Sequence, residues 1–178
     1  MTNRSLAGVV AGLMLGAAGL ALAQEGPPKP GPEHKKLEYF AGTWQFQGES
    51  KASAMGPAGS ITFKETCEMF DGGFALICRS EGKGPMGPSK SLSIMTYDAE
   101  KKAYSYTGVE SNAPVFIAYG QEANGTWSWS SEAKMGEKVM KTKVVIKQGP
   151  TSYDFNMEMS DGGAFTPVMS GKSTKSGT

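Results

Sequence analysis

From Gly42 onward the chain is written in short segments where apolar and polar residues alternate one for one, punctuated by Gly, Asn, Asp and Pro. A period of two sends successive side chains to opposite faces of a strand, so each segment can bury one face and wet the other. Tyr153, Phe155, Met157 and Met159 share one face of their segment, while Asp154, Asn156 and Glu158 share the other. Met140, Thr142, Val144 and Ile146 oppose Lys141, Lys143 and Lys147 in the same way. The strands expected on this basis are ten: Thr43 to Ser50, Ser60 to Phe70, Phe74 to Glu81, Ser89 to Tyr97, Ala103 to Val109, Val115 to Gly120, Thr126 to Glu132, Val139 to Lys147, Ser152 to Ser160 and Thr166 to Lys175. Asp71-Gly72-Gly73, Ala123-Asn124-Gly125 and Asp161-Gly162-Gly163 supply residues that accept positive φ, which tight hairpin turns demand.

After Gly42 nothing keeps a helical period for the length of a crossover helix, so the strands run antiparallel and connect neighbour to neighbour. Such a meander buries its apolar face most completely, and loses its exposed edges, by closing on itself. The expected fold is therefore all-β: an antiparallel up-and-down β-barrel of about ten strands. A barrel of this size has more interior than side chains readily fill, and a cavity is expected. Trp44, Phe46, Tyr104, Tyr106, Trp127 and Trp129 fall on its presumed inner face. Ahead of the strands, His34 to Phe40 places Leu37 and Phe40 at i and i+3, enough for a short N-terminal helical segment that caps one end.

The N-terminus reads as an export signal. Asn3 and Arg4 precede an apolar run, Leu6 to Ala23, that ends in Ala21-Leu22-Ala23, the small-x-small form of a cleavage site. The expected organisation is a signal peptide over 1–23, a Pro-rich linker over 24–33 and one barrel domain over 34–178, in a periplasmic or secreted protein with no membrane insertion after cleavage. Removing Arg4 leaves 17 Lys plus Arg against 17 Asp plus Glu, and the balanced charge excludes nucleic acid as a partner. A single His and two Cys exclude a His-rich metal site and a multi-thiolate cluster, and no cofactor is expected.

Three blocks carry a family resemblance: Pro30-Gly-Pro-Glu-His-Lys-Lys-Leu-Glu-Tyr-Phe-Ala-Gly-Thr-Trp44, Cys67-Glu-Met-Phe-Asp-Gly-Gly-Phe-Ala-Leu-Ile-Cys-Arg-Ser-Glu-Gly82 and Ser160-Asp-Gly-Gly-Ala-Phe-Thr-Pro-Val-Met-Ser-Gly171. They resemble the bacterial family catalogued as domain of unknown function 1579, over roughly Pro30 to Lys175. The resemblance implies a lipocalin-like, or calycin, barrel and no established activity. Gly42-Thr43-Trp44 also resembles the Gly-x-Trp signature that opens lipocalin barrels, which gives Gly42 and Trp44 a structural role. In lipocalins an Arg near the end of the barrel packs over this Trp; the last strand here offers only Lys172 and Lys175.

Cys67 and Cys78 flank the Asp71-Gly72-Gly73-Phe74 turn. If Gly72 and Gly73 are its central residues, Asp71 faces Phe74 and Cys67 faces Cys78, within reach of a disulfide. An exported protein meets the oxidising conditions such a bond needs. Neither a C-x-x-C spacing nor a companion His favours a redox or metal role for the pair.

Glu65 shares its face with Ile61, Phe63, Cys67 and Met69, whereas Lys64 and Glu68 lie on the other. A carboxylate on an inner wall is desolvated and can hydrogen-bond a ligand or act as a base. The ordinary alternative is a rim position, half solvated or paired with a Lys. His34 sits beside Lys35 and Lys36 and reads as a surface residue rather than a haem ligand, and the Met residues read as core and cavity lining rather than copper ligands. With one His outside the strands, a Ser-His hydrolase cannot be assembled. The Gly82 to Pro88 loop lacks the ending of a phosphate-binding loop and reads as a mobile rim segment.

The leading functional expectation is a non-catalytic binder of a small hydrophobic or amphipathic molecule in the barrel, with Trp127, Trp129, Tyr104, Tyr106, Phe63 and Met157 as ligand-binding residues. The alternatives are an acid-base enzyme of the isomerase or cyclase type using Glu65 at the barrel mouth, and a cavity-less envelope scaffold, which would need an apolar outer patch. Oligomeric state is open at this level.

Overall fold

The alternation is realised in a computed structural model, which describes residues 28–111 and 113–176. The expected signal peptide, its cleavage site and the first part of the linker lie outside the described residues. The chain enters through a short helix, α1 (Pro32–Lys36), and a 3-10 turn (Leu37–Phe40). Ten strands follow: β1 (Gly42–Ser50), β2 (Gly59–Met69), β3 (Ala75–Gly84), β4 (Gly87–Asp98), β5 (Ala103–Glu110), β6 (Ala113–Ala123), β7 (Thr126–Met135), β8 (Lys138–Gln148), β9 (Ser152–Ser160) and β10 (Thr166–Lys175). Each pairs antiparallel with its neighbours in sequence, and β1 pairs with β10 to close the barrel. Closure leaves no strand edge open to another chain.

Three sequence expectations shift. The helix begins at Pro32, inside the stretch assigned to the linker, because Pro at the first helical turn has no N–H to lose there. The Gly82 to Pro88 segment is no loose rim loop: β3 runs to Gly84 and β4 starts at Gly87, so only Pro85 and Met86 turn between them. The Asp71 turn is wider than two residues, its ladder ending at the bond from the Phe70 N–H to the Ala75 carbonyl, 2.8 Å. The parity of the register is unaffected by that widening, and Cys67 still opposes Cys78.

The packed core lies at the end that α1 and the 3-10 turn cover. Leu37, Leu76 and Trp127 are fully buried, and Phe40, Trp44, Tyr104 and Tyr153 nearly so. Phe40 meets the Trp127 ring edge-on at 5.3 Å and the Tyr153 ring at 5.8 Å. The Trp44 indole N–H donates to the Phe40 carbonyl at 2.8 Å, tying the first strand to the plug. Lys175 of the last strand lies over Trp44, its Nζ 5.3 Å from the centre of the ring. Gly120 is required beneath this cluster, since a Cβ there would stand 2.6 Å from the Trp129 ring.

Candidate functional site

The two halves of the barrel interior are filled differently. Against the plugged end most inward side chains are buried, with Met69, Tyr97 and Ile146 partly so; toward the opposite mouth Phe46 and Met159 are buried, while Ile61, Phe63, Glu65, Tyr106, Phe116, Phe155, Met157 and Met169 keep some accessible surface as they point inward. Aromatic pairs shape that open half. Phe46 stacks on Phe63 at 4.5 Å and meets Phe155 edge-on at 5.8 Å, while Tyr106 stacks on Phe116 at 5.5 Å.

This asymmetry sorts the expected ligand-binding residues. Tyr106, Phe63 and Met157 line the open half. Tyr104 and Trp127 belong to the plug, 2% and 0% exposed, and the Tyr104 hydroxyl donates to the Glu33 carbonyl at 3.2 Å. Trp129 stacks on Trp127 at 5.9 Å and lies 6.0 Å from Tyr106, at the boundary between the halves. Alternation put all of these on the inner face correctly, but their depth along the barrel axis depends on where the N-terminal plug seats. His34 departs from its surface reading. It is half-buried, packs edge-on against Phe74 at 5.2 Å and Tyr97 at 6.0 Å, and its Nδ1 accepts from the Gly31 N–H at 3.2 Å.

Glu65 is the chemical focus of the open half. Its strand partners are Trp44 on β1 and Ser80 on β3, and among the described residues it makes no ion pair and no hydrogen bond. Burial alone pushes its carboxyl up to about 7. The hydroxyls around it keep their protons: burial lifts Tyr106 to about 12, and burial with the nearby Glu65 charge raises Tyr153. Ser80 and Ser91 hydroxyls bond each other at 2.6 Å on the neighbouring wall. Glu110 stands at the rim of the same interior, on an inward register position but exposed. It opposes the inward Ser91 at the mouth, and burial raises its carboxyl as well. The expected strand ends at Val109, one residue short of it, although Glu110 continues the inward alternation of Tyr104, Tyr106 and Gly108 against β4.

Chemically, a carboxylate that titrates near neutrality between two protonated tyrosines can take a proton or hold a cation. Cys67 and Cys78 lie on the same wall, with both sulfurs and a Glu65 carboxylate oxygen within 4.8 Å of one another. The sulfurs are joined as a disulfide, with Cα atoms 4.0 Å apart, so they are no thiolate donors for a metal. Two shallow hollows lie elsewhere, one of about 580 Å³ bordered by Glu81, Gly82, Pro88 and Lys90 near the mouth, the other of about 500 Å³ between Lys36, Tyr39, Glu122 and Gln148 beside the plug.

The outside carries a feature that alternation within single strands does not reveal. Leu92 and Ile94 on β4, Val109 on β5, and Val115, Ile117 and Tyr119 on β6 are each more than 40% exposed, and Ile94, Thr107 and Ile117 sit in one register row. Three adjacent strands therefore present an apolar outer patch.

The fold and this interior define a closed ten-strand antiparallel β-barrel with one plugged end. A family model described as Protein of unknown function (DUF1579) matches residues 29–174, and the chain belongs to that family. Among solved structures, a de novo designed fluorescence-activating β-barrel matches with a TM-score of 0.45 and 15% identity, over 79% of this chain and 96% of that one. Among curated proteins none matches the sequence.

Proposed function

We propose that this is an exported, non-catalytic binding protein that takes a small apolar or amphipathic molecule into the open half of the barrel. The observation that carries the reading is the uneven filling. The plugged half is mostly buried aromatic core, whereas toward the mouth Phe63, Tyr106, Phe116, Phe155 and Met157 face inward and keep accessible surface around the buried Phe46 and Met159. A barrel built only for stability gains by filling both halves, because unfilled interior forfeits dispersion contacts. The Cys67–Cys78 disulfide supports residence in an oxidising compartment, where such bonds persist. Mass spectrometry of the protein purified under native conditions tests the reading. A small molecule that co-purifies and leaves on denaturation is the expected result; a protein that carries none and binds no member of an apolar ligand library would refute it.

A second reading, an interaction protein of the envelope, is favoured by the outer patch over β4, β5 and β6. An exposed face of this kind on a stable barrel fits a protein interface better than bare solvent. Sedimentation over a wide concentration range tests it: association abolished by Ile117→Lys is expected, and a monomer at all concentrations would leave the patch without a second copy as partner.

A further inference from the structure

The charge inside the open half is of one sign. Glu65 lies deep on β2 and Glu110 at the mouth on β5, both on inward positions of the register. The cationic side chains of the surrounding strands alternate outward, apart from Lys138 at the rim and Lys175, which is exposed at the plugged end and lies over the Trp44 ring. Arg79, Lys90, Lys141 and Lys172 are exposed and paired with Glu68, Glu81, Glu132 and Asp154 on the outer surface. Lys138, at the tip of the β7–β8 hairpin, is held at the rim by Asp161 at 2.8 Å. Among the described residues, no Lys, Arg or His lines the wall between Glu65 and the mouth.

A buried carboxylate without a partner is costly to keep, and its cheapest compensation is an opposite charge brought to it. An anionic ligand such as a fatty acid would add a second negative charge where no cation answers it. A neutral one would leave the carboxylate as it is. An ammonium group, by contrast, would donate a charge-assisted hydrogen bond to Glu65 and face the rings of Tyr106 and Phe116, whose π surfaces attract cations. The hydrocarbon body of the same molecule suits the Phe46, Phe63 and Phe155 cluster.

We infer that the open half of the barrel takes a lipophilic organic cation, a protonated amine whose charged end is held by Glu65 and whose entry is favoured by Glu110. The inference rests on the binding reading and names its ligand class. The ionisable groups in the field of Glu65 are Tyr106 and Tyr153, both raised by burial and protonated through neutrality, so Glu65 is the group that titrates there; burial also holds the carboxyl of the mouth residue Glu110 above its ordinary value.

The test is calorimetric titration of the disulfide-bonded protein with three probes of one chain length, dodecylamine, 1-dodecanol and dodecanoate, each below its micellar range. At pH 8 the amine should bind roughly tenfold or more tighter than the alcohol, as one charge-assisted hydrogen bond allows, and dodecanoate should bind weakest. Glu65→Gln should bring the amine down to the level of the alcohol and leave the alcohol unchanged; Glu110→Gln should weaken the amine by a smaller factor. Wild-type affinity for the amine should fall as the pH drops below 7 and Glu65 takes up its proton. Alcohol or dodecanoate binding as tightly as the amine, or an amine affinity indifferent to both variants, would overturn the cation inference and leave the binding reading standing. Binding of none of the three would overturn both.

Discussion

Replacing Glu65 by Gln should stabilise the protein, and do so only where the carboxyl is ionised. The carboxyl sits at about 7 in the folded barrel against an ordinary 4.5. Folding therefore favours the protonated form. The penalty is absent below the ordinary value, grows between 4.5 and 7, and is complete above 7. At about 1.4 kcal/mol per pH unit the full penalty is about 3 kcal/mol. Because part of the side chain meets water in the open half, the observable effect should fall between about 1 and 3 kcal/mol. Glutamine has nearly the same shape and no charge, so its barrel escapes this cost. Urea unfolding of both proteins at intervals from pH 4 to pH 8.5, with the disulfide intact, gives the stability difference directly, and the other titrating carboxylates cancel in it. The curves should run together in acid and separate in favour of the variant as the pH passes from 4.5 to 7. A difference that is constant across this range would show that Glu65 is solvated or partnered. A wild type that gains on the variant with rising pH would show a favourable charge contact, and either result would remove the basis for treating Glu65 as the focus of the site.

The Cys67→Ser, Cys78→Ser double variant should keep its fold, because β2 and β3 are each paired on both sides, and lose about 3 kcal/mol or less of stability by thermal or urea unfolding. Thiol labelling of the unfolded, unreduced wild type should find no reactive thiol. Gly120→Ala should cost about 1–3 kcal/mol through overpacking, since the new methyl would stand 2.6 Å from the Trp129 ring and 2.8 Å from the Ser128 carbonyl; an unchanged midpoint would mean that the barrel wall yields more easily than its packing indicates. Trp44→Phe should lose about 2–4 kcal/mol, because it removes buried volume and leaves the Phe40 carbonyl without its 2.8 Å donor. A loss below 1 kcal/mol would show that water reaches that carbonyl.

Much of this molecule is written in one-dimensional pattern. The period of two on each strand decides inside from outside residue by residue, which is why it sends Glu65 to the inner wall and Lys64 to the outer one. The Gly and Asn residues that accept positive φ set where the chain reverses, and a reversal of known parity determines which residues meet, as Cys67 and Cys78 do. Depth along the barrel axis has no such signature. Trp127 and Tyr106 carry the same inward pattern, yet one is sealed in the plug and the other lines the open half, because the difference arises from where Leu37 and Phe40 dock against the far ends of β2 and β3. The β1–β10 closure, the bulge that accompanies the inward Glu110, and the alignment of Ile94 with Ile117 across three strands are likewise properties of lateral pairing. Alternation describes each strand singly, and only the closed barrel brings residues far apart in the chain to one level, where burial and charge acquire their chemical meaning.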